Sequence, residues 1–516
     1  MNKVIVSGES LTIEDVVNVA RNNYKVELSQ DAVRRINRAR DLVDKFVEEE
    51  RVSYGITTGF GKFSDVAISK NDSEKLQKNL IISHSCGVGE AFEVDIIRAI
   101  MLLRVNALAK GNSGLRLNVL EILIDMLNKG VHPVIPQKGS LGASGDLAPL
   151  SHMVLTMLGE GEAIYKGEKI SSKEAMEKAN VEIIENLSAK EGLALINGTQ
   201  VMTAVGLLTL EDSINLIKTA DIAFSLTMEG LEGITCAMDE RIHKLRPHKG
   251  QVNTAKNAMK ILSKSEMTSK QGEKRVQDAY SLRCTPQVHG AIKDAIEYVR
   301  EKINIEINSV TDNPIIFPDE EEVISGGNFH GEPMALSFDF LGIALSELGN
   351  ISERRLEKMV NPALSHGLPA FLINKGGLNS GFMIVQYSAA SLVSENKVLA
   401  HPASVDSIPS SANQEDHVSM GTIAARKAKE IMENTRKVLA MEILAAVQAI
   451  DLKGKRNLGI GTNAAYKLIR KYTDFIDNDR IMYKEINICE ELVKENKLVL
   501  SVEKALDEKL LVNEDF

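Results

Sequence analysis

The 516-residue sequence has no apolar run that approaches a membrane span, and the residues after Met1 lead into polar sequence without a signal-peptide core. It also lacks an excess of positive charge, because its formal net charge is -10. This balance argues against nucleic acid or an acidic membrane as the main partner. We therefore expect a cytoplasmic protein without either partner, built from ordinary domains or from one body of long helices.

Cysteine is scarce, and the residues present are Cys86, Cys236, Cys284 and Cys489. They lie far apart and form no Cys-x-x-Cys pair. The pattern argues against a disulfide framework and against a zinc cluster of the usual spacing. We expect reduced thiols and no bound metal.

Proline is missing from both ends of the chain, since all 12 prolines lie between Pro133 and Pro409. The first quarter and the final fifth can therefore run as uninterrupted helix. Apolar residues recur at helical spacing in two stretches. They are Val33, Ile36, Ala39, Val43 and Phe46 after the expected helix cap Ser29, and Leu341, Leu345, Leu348, Leu356 and Met359.

Residues 422–451 contain neither glycine nor proline and are rich in Ala, Lys, Glu, Met and Leu, which predicts a helix of several turns. Short strands are expected at residues 4–6 and around residues 161–165 and 315–317. Each is too short for a major sheet. The sequence therefore predicts a mainly α fold.

Residues 139–150, Gly-Ser-Leu-Gly-Ala-Ser-Gly-Asp-Leu-Ala-Pro-Leu, carry the most specific chemical signal. If the amide nitrogen of Gly145 bonds to the carbonyl carbon of Ala143, a five-membered ring closes. Loss of two waters then leaves Ser144 as an exocyclic methylidene, an electrophile that no ordinary side chain supplies. A Cβ at the third position would obstruct this closure, which explains a glycine there. Asp146 follows directly, where a carboxylate can handle protons.

The same glycines are also compatible with an ordinary turn. A dinucleotide fingerprint requires a strand before the glycines and a βαβ unit around them, and a P-loop ends in Gly-Lys-Ser/Thr. Neither pattern is present. From the local residues alone, the ring-forming motif and a plain glycine turn both stay open.

Six further polar loops interrupt the helical background. Polar loops on a rigid helical scaffold commonly carry function. They cover residues 54–61, 83–84, 197–200, 277–284, 326–332 and 413–417.

The Ala-Ser-Gly motif and these six loops, in this order, resemble the aromatic amino acid ammonia-lyases from about Tyr54 to about Ala449, and most closely their histidine-directed members. The resemblance implies a homotetramer of long antiparallel helices, with a smaller loop-rich N-terminal part and active sites shared between subunits. It implies 4-methylidene-imidazol-5-one formed from residues 143–145, with no external cofactor. It also implies elimination of ammonia from L-histidine to give trans-urocanate. We expect residues 1–197 to carry the electrophile and residues 198–516 the long-helix core.

The resemblance also assigns roles in the elimination, which must remove a poorly acidic β-proton while an amine departs. Tyr54 is the expected base, with a phenol pKa lowered by its surroundings, and Tyr280 is expected to assist. Arg283 is expected to bind the substrate carboxylate through its planar fork. Which tyrosine is the base stays open, as does attack of the electrophile on the amine or on the imidazole ring.

Three more residues are implied to support the substrate or the electrophile. Asn197 and Gln277 are expected to donate hydrogen bonds to the electrophile's carbonyl or to the substrate carboxylate. On a helix, Gln277 and Tyr280 would share a face because they lie three residues apart. Phe329 is expected to pack over the electrophile.

Substrate choice is expected to depend on His84 and Glu415, which match the imidazole-contacting residues of histidine-directed members. Thr57 departs from that pattern, because those members often have asparagine there. Three other functions stay open: a phenylalanine or tyrosine ammonia-lyase, an aminomutase that uses the same electrophile, and an inactive helical scaffold.

Overall fold

A computed structural model of the chain describes residues 2–51, 53, 56, 58 and 70–513, with the side chains of residues 70–72 left out. The described residues form two compact units. The first unit comprises Met1–Leu208, Glu301–Asp339 and Pro402–Arg426, and the second comprises Thr209–Arg300, Phe340–His401 and Lys427–Phe516. The division expected after residue 197 stays a prediction. The predicted mainly α fold with short strands is confirmed.

The described elements follow in chain order. The helices are α1 (Ile13–Arg21), α2 (Gln30–Glu48), α3 (Lys70–His84), α4 (Val94–Ala109), α5 (Leu117–Lys129), α6 (Leu147–Met157), α7 (Ser172–Ala179), α8 (Glu191–Ile196), α9 (Gln200–Gly230), α10 (Glu240–Lys244), α11 (Lys249–Ile261), α12 (Tyr280–Arg283), α13 (Thr285–Glu306), α14 (Glu332–Val360), α15 (Met383–Leu399), α16 (Gly421–Leu452), α17 (Ile460–Tyr472), α18 (Met482–Lys494) and α19 (Lys497–Leu506). The strands are β1 (Lys3–Val6), β2 (Lys25–Leu28), β3 (Val88–Ala91), β4 (Val131–Pro133), β5 (Pro136–Lys138), β6 (Glu162–Tyr165), β7 (Glu168–Ser171), β8 (Ile315–Phe317) and β9 (Glu322–Ile324).

The strands pair into small sheets within the first unit. Strands β1 and β2 are parallel, with Lys3 opposite Lys25. Strands β3 and β5 are antiparallel, and β4, β6 and β7 form an antiparallel sheet in that order. Strands β8 and β9 form a hairpin in which Ile315 faces Ile324. The three short strands expected from the sequence, now β1, β6 and β8, are confirmed.

Helix α2 shows why the periodic segments fold as expected. The Ser29 hydroxyl accepts a hydrogen bond from the Ala32 amide and so caps the helix. Ile36, Val43 and Phe46 are buried on one face. Burial of side chains of this size contributes about 1.5–3 kcal/mol each, so the stripe stabilises the docked helix.

The long helices α14 and α16 confirm the predictions made from their sequence patterns. Helix α16 covers the whole of residues 422–451, and the five apolar side chains of the predicted α14 stripe are buried. By length and composition α14 also qualifies as a membrane span, which was not predicted from the sequence. However, 67% of its apolar 18-residue stretch is buried within the protein, as is usual for a core helix.

Helix α4 is buried on all sides and carries two arginines into the core. Arg98 donates from Nε to Val19 O at 2.9 Å and from Nη1 to Leu127 O at 3.0 Å. Its Nη1 also lies 3.3 Å from His132 Nε2. Burial, reinforced by the Arg98 charge, lowers the pKa of His132 to about 4.

The pKa of His132 predicts a loss of stability in acid. At pH values below about 6.5, the ordinary pKa of histidine, His132 binds a proton in the unfolded chain but not in the folded protein. The free energy of unfolding therefore falls as the pH decreases towards 4. We expect His132 to account for about 2 kcal/mol of the difference between pH 7 and pH 5. Urea unfolding of the wild type and of His132→Gln at both pH values measures this share. An equal difference in the two proteins would contradict it.

Candidate functional site

The glycine-rich loop before α6 approaches another backbone segment too closely for a side chain. Gly145 has φ +74°, and a Cβ on it would lie 2.1 Å from Gly198 O. The next amide, that of Asp146, donates to the same oxygen at 2.7 Å. Packing therefore requires glycine at residue 145, independently of the ring chemistry expected from the sequence.

The other side of this loop is held by the segment before α16. The amide and hydroxyl of Ser419 both donate to Gly142 O, at 3.2 and 3.1 Å, and the Met420 amide donates to Leu141 O at 3.2 Å. Gly142 has φ +72°, and a Cβ there would lie 2.3 Å from Ser419 Oγ. The loop is thus clamped from both sides. Ser419 was not predicted as a site residue, although it lies only two residues after the 413–417 motif.

Asp146 links the loop to α9. Its side chain is fully buried, and Oδ2 accepts hydrogen bonds from the amides of Val201 at 3.0 Å and Met202 at 2.9 Å. Oδ1 accepts from Ser140 Oγ at 2.8 Å and from the Thr422 hydroxyl. Burial raises the pKa of the carboxyl, whereas these donors and the positive end of α9 oppose the rise.

A buried arginine holds the turn that carries Gly198. Arg104 donates to Ala194 O at 2.6 Å, to Asn197 O at 2.7 Å and to Gln200 Oε1 at 2.7 Å. Its pKa is lowered to about 10 by burial. The guanidinium therefore binds the carboxyl end of α8, where a cation is favourable.

The Asn197 side chain is directed towards residues 312 and 313. Its Nδ2 donates to Asp312 Oδ1 at 3.3 Å and to Asn313 O at 3.1 Å. Asp312 also accepts from the fully buried Lys190 at 2.6 Å. Among the described residues the buried Asn197 Oδ1 has no hydrogen-bond partner. Asn197 therefore presents an acceptor at the turn beside the glycine-rich loop.

A pocket of about 400 Å³ brings together residues 143–145, His84 and Glu415, all of them predicted site residues. Ser144 Oγ lies 3.3 Å from Glu415 Oε1, and Ser410 Oγ donates to Glu415 Oε2 at 3.0 Å. His84 ends α3, and its Nδ1 lies 3.0 Å from Ser83 Oγ. Burial lowers the pKa of His84, against the opposing effects of Leu80 O and the Glu415 charge.

This pocket has the polarity for a small ligand with hydrogen-bonding atoms. A carboxylate accepts hydrogen bonds only, whereas a neutral imidazole can both donate and accept. His84 and Glu415 therefore offer complementary groups next to Ser144. An entirely apolar ligand would leave these groups unpaired, at a cost.

Three other predicted residues lie in the second unit. Arg283 packs its guanidinium 4.3 Å from the centre of the Tyr280 ring and donates from Nε to Asp278 O at 2.9 Å. Tyr280 is 70% exposed, and Gln277 is also exposed. The expectation that Gln277 and Tyr280 share a helical face is wrong, because α12 begins at Tyr280 and Gln277 lies in the irregular segment before it.

Phe329 is described but does not line this pocket, and two other residues named from the sequence are not described. Phe329 is half-buried in the turn after β9 and outside the pocket lining. Tyr54 and Thr57 lie outside the described residues.

This chain is similar to known proteins in both sequence and fold. A family model described as aromatic amino acid lyase matches residues 11–471. A histidine ammonia-lyase from Alkaliphilus oremlandii is 64% identical over 507 residues, which are 98% of this chain and 100% of the relative. The crystal structure of histidine ammonia-lyase from Trypanosoma cruzi is 42% identical with a TM-score of 0.90, covering 98% of this chain and 95% of that one. A tyrosine aminomutase from Streptomyces globisporus is 37% identical with a TM-score of 0.95, covering 99% and 100%.

Replacement of Gly145 by alanine tests the close backbone approach. We expect Gly145→Ala to lower the free energy of unfolding by about 3 kcal/mol or more, because the new Cβ overlaps Gly198 O. Gly167→Ala is the matched control, since Gly167 has φ +84° but open space around its Cβ position. The control should lose only about 1–2 kcal/mol, the cost of the left-handed conformation. Equal losses in denaturant unfolding would contradict the packing argument.

Proposed function

Because the chain belongs to the aromatic amino acid lyase family, we propose that it is a lyase that eliminates ammonia from L-histidine to give trans-urocanate. The observation that carries the proposal is the pocket in which Ser144, His84 and Glu415 meet. The relatives named histidine ammonia-lyase at 56–64% identity support the same substrate.

The proposed substrate matches the polarity of the pocket. A Glu415 carboxylate accepts a hydrogen bond from an imidazole N–H, and a neutral His84 complements the ring's other polar atom. A phenyl ring offers neither interaction and would leave both groups unpaired. The backbone of a tyrosine aminomutase is similar to that of this chain, so the fold alone does not distinguish ammonia elimination from the aminomutase reaction. The side chains that face the substrate and the identity of the product distinguish them.

We propose that residues 143–145 form 4-methylidene-imidazol-5-one without an external cofactor. They fit this group because Gly145 has φ +74° and no room for a Cβ, while Ala143 is buried and small. When formed, the ring supplies an electrophilic carbon beside the pocket. Asp146 supports ring formation in this proposal, since its four hydrogen bonds fix the amide that follows the ring atoms.

The chain's own side chains would bind the substrate and move its protons. Arg283 would bind the carboxylate, because its Nε is engaged by Asp278 O while Nη1 and Nη2 have no hydrogen-bond partner among the described residues. Tyr54 would take the β-proton with help from Tyr280, and the reverse assignment stays open. Gln277 would donate to the substrate carboxylate.

Asn197 and Phe329 keep supporting roles in the proposal. Donation by Asn197 to the electrophile's carbonyl or to the substrate carboxylate stays a prediction. Its Nδ2 donates to Asp312 and Asn313, which fixes the side chain at the turn beside the glycine-rich loop. Phe329 would pack over the electrophile.

We also propose a cytoplasmic homotetramer whose neighbouring copies complete each active site. Exposed Tyr280 and Gln277 support this assembly, since catalytic side chains function better when sheltered from water. Exposed apolar residues on α15, among them Ile384 and Tyr387, provide surface that a further copy would cover. Neither nucleic acid nor membrane is a partner in this proposal.

The specificity assay measures kcat/KM for histidine and phenylalanine in the wild type, in Glu415→Leu and in the control Asp416→Leu. We expect the wild type to prefer histidine by roughly 10⁴-fold, because an apolar ring would cover the polar groups of His84 and Glu415 without pairing them. Glu415→Leu should lower histidine turnover by about tenfold or more and relieve part of the penalty against phenylalanine. Asp416 is exposed, so its replacement should change neither value substantially.

Product identification completes this test. Trans-urocanate and ammonia are the expected products from histidine. A β-amino acid product would instead favour the aminomutase. Preference for phenylalanine or tyrosine, or unchanged histidine turnover in Glu415→Leu, would contradict the histidine assignment.

A further inference from the structure

The turn before Glu415 has an unusual backbone. Ser411, Ala412 and Asn413 have φ values of 51°, 52° and 66°, so three consecutive residues other than glycine adopt the left-handed conformation. Each such residue costs about 1–2 kcal/mol. A turn of this kind persists only where its surroundings impose it, and such turns are concentrated at ligand sites.

Ser410 and Glu415 impose this turn by closing it. The Ser410 amide donates to Glu415 O at 2.9 Å, and the Glu415 amide donates to Ser410 O at 3.3 Å. The two residues thereby form an isolated antiparallel bridge across the turn. The bridge places their side chains next to each other at the pocket.

The side chain of Ser410 then fixes the orientation of the Glu415 carboxylate. Ser410 Oγ donates to Oε2 at 3.0 Å, while Oε1 lies 3.3 Å from Ser144 Oγ. With Oε2 engaged, the carboxylate directs Oε1 towards the residue that forms the electrophile. Without this donor, rotation about the terminal bond of Glu415 would meet less resistance, since that torsion is broad.

We propose that Ser410 is a specificity-determining positioning residue, which holds the Glu415 carboxylate so that Oε1 meets an N–H of the substrate imidazole. The proposal rests on the proposed function, because it assigns Glu415 to the imidazole. Ser410 itself does not take part in the chemistry. Its contribution concerns imidazole-bearing substrates and not those with a phenyl ring, which offers Oε1 no donor.

Kinetics of Ser410→Ala test the proposal. We expect KM for histidine to rise about tenfold, while kcat changes less than roughly twofold. The hydrogen bond from Ser410 to the Glu415 carboxylate aids binding of the ground state and the transition state alike, so its loss weakens both equally. The value of kcat/KM for phenylalanine should stay within about twofold. Ser411→Ala is the matched control, since Ser411 is exposed in the same turn.

A second pair of variants isolates the hydroxyl from any effect on folding. Ser410 has an extended backbone, with φ -133° and ψ 179°, which β-branched residues adopt readily. Ser410→Thr should retain the wild-type preference for histidine, whereas Ser410→Val, of nearly the same shape, should show the loss expected of Ser410→Ala. Equal selectivity of the Thr and Val variants would overturn the role of Ser410.

The wild-type control separates this proposal from the one on which it rests. Histidine turnover by the wild type, together with unchanged selectivity in Ser410→Ala, overturns the positioning role alone. A wild type that does not act on histidine overturns the proposed function as well. A rise in KM shared equally by histidine and phenylalanine also contradicts the proposal, because it indicates a general disturbance of the pocket.

Discussion

The close contact between the backbones of Gly145 and Gly198 is the constraint on which the rest of the site depends. A Cβ on Gly145 would lie 2.1 Å from Gly198 O, and one on Gly198 would lie 2.8 Å from Arg104 Nη1. Glycine at these two residues therefore allows the Arg104 guanidinium, the turn at Gly198 and the glycine-rich loop to pack against one another. The loop has little freedom to relax, and this restriction is what ring closure between residues 143 and 145 requires.

Buried charges maintain this arrangement at a considerable desolvation cost. Asp146, Arg104, Lys190 and Asp312 are all withdrawn from water, and their hydrogen bonds offset the cost of that withdrawal. Apolar packing of equal volume would not fix the direction of backbone amides and carbonyls. The polar interior around Gly198 thus positions the loop, while the apolar faces of the surrounding helices supply most of the stability.

The sequence was sufficient where local chemistry determines structure. The stripe of α2 and the helix of residues 422–451 followed from periodicity and composition. His84, Glu415 and residues 143–145 were named from motifs, and they do line one pocket. Contacts between distant segments were not predictable, because no local pattern indicates which segments meet. Ser419, for example, donates to Gly142 O across 277 residues. The helical placement of Gln277 failed for a related reason. Asp278 binds the Ile234 amide and Arg275 instead, which holds this segment outside α12.

In the proposed function, the loop held between two backbone segments converts its own residues into an electrophile. The decisive measurement is the mass of the proteolytic peptide that contains Ser144, taken from purified wild-type enzyme active on histidine. We expect a peptide lighter than its encoded mass by two waters. The peptide from Ser144→Ala should lack this loss, in a protein that is folded but nearly inactive. An unmodified wild-type peptide in active enzyme would show that the loop does not form the electrophile.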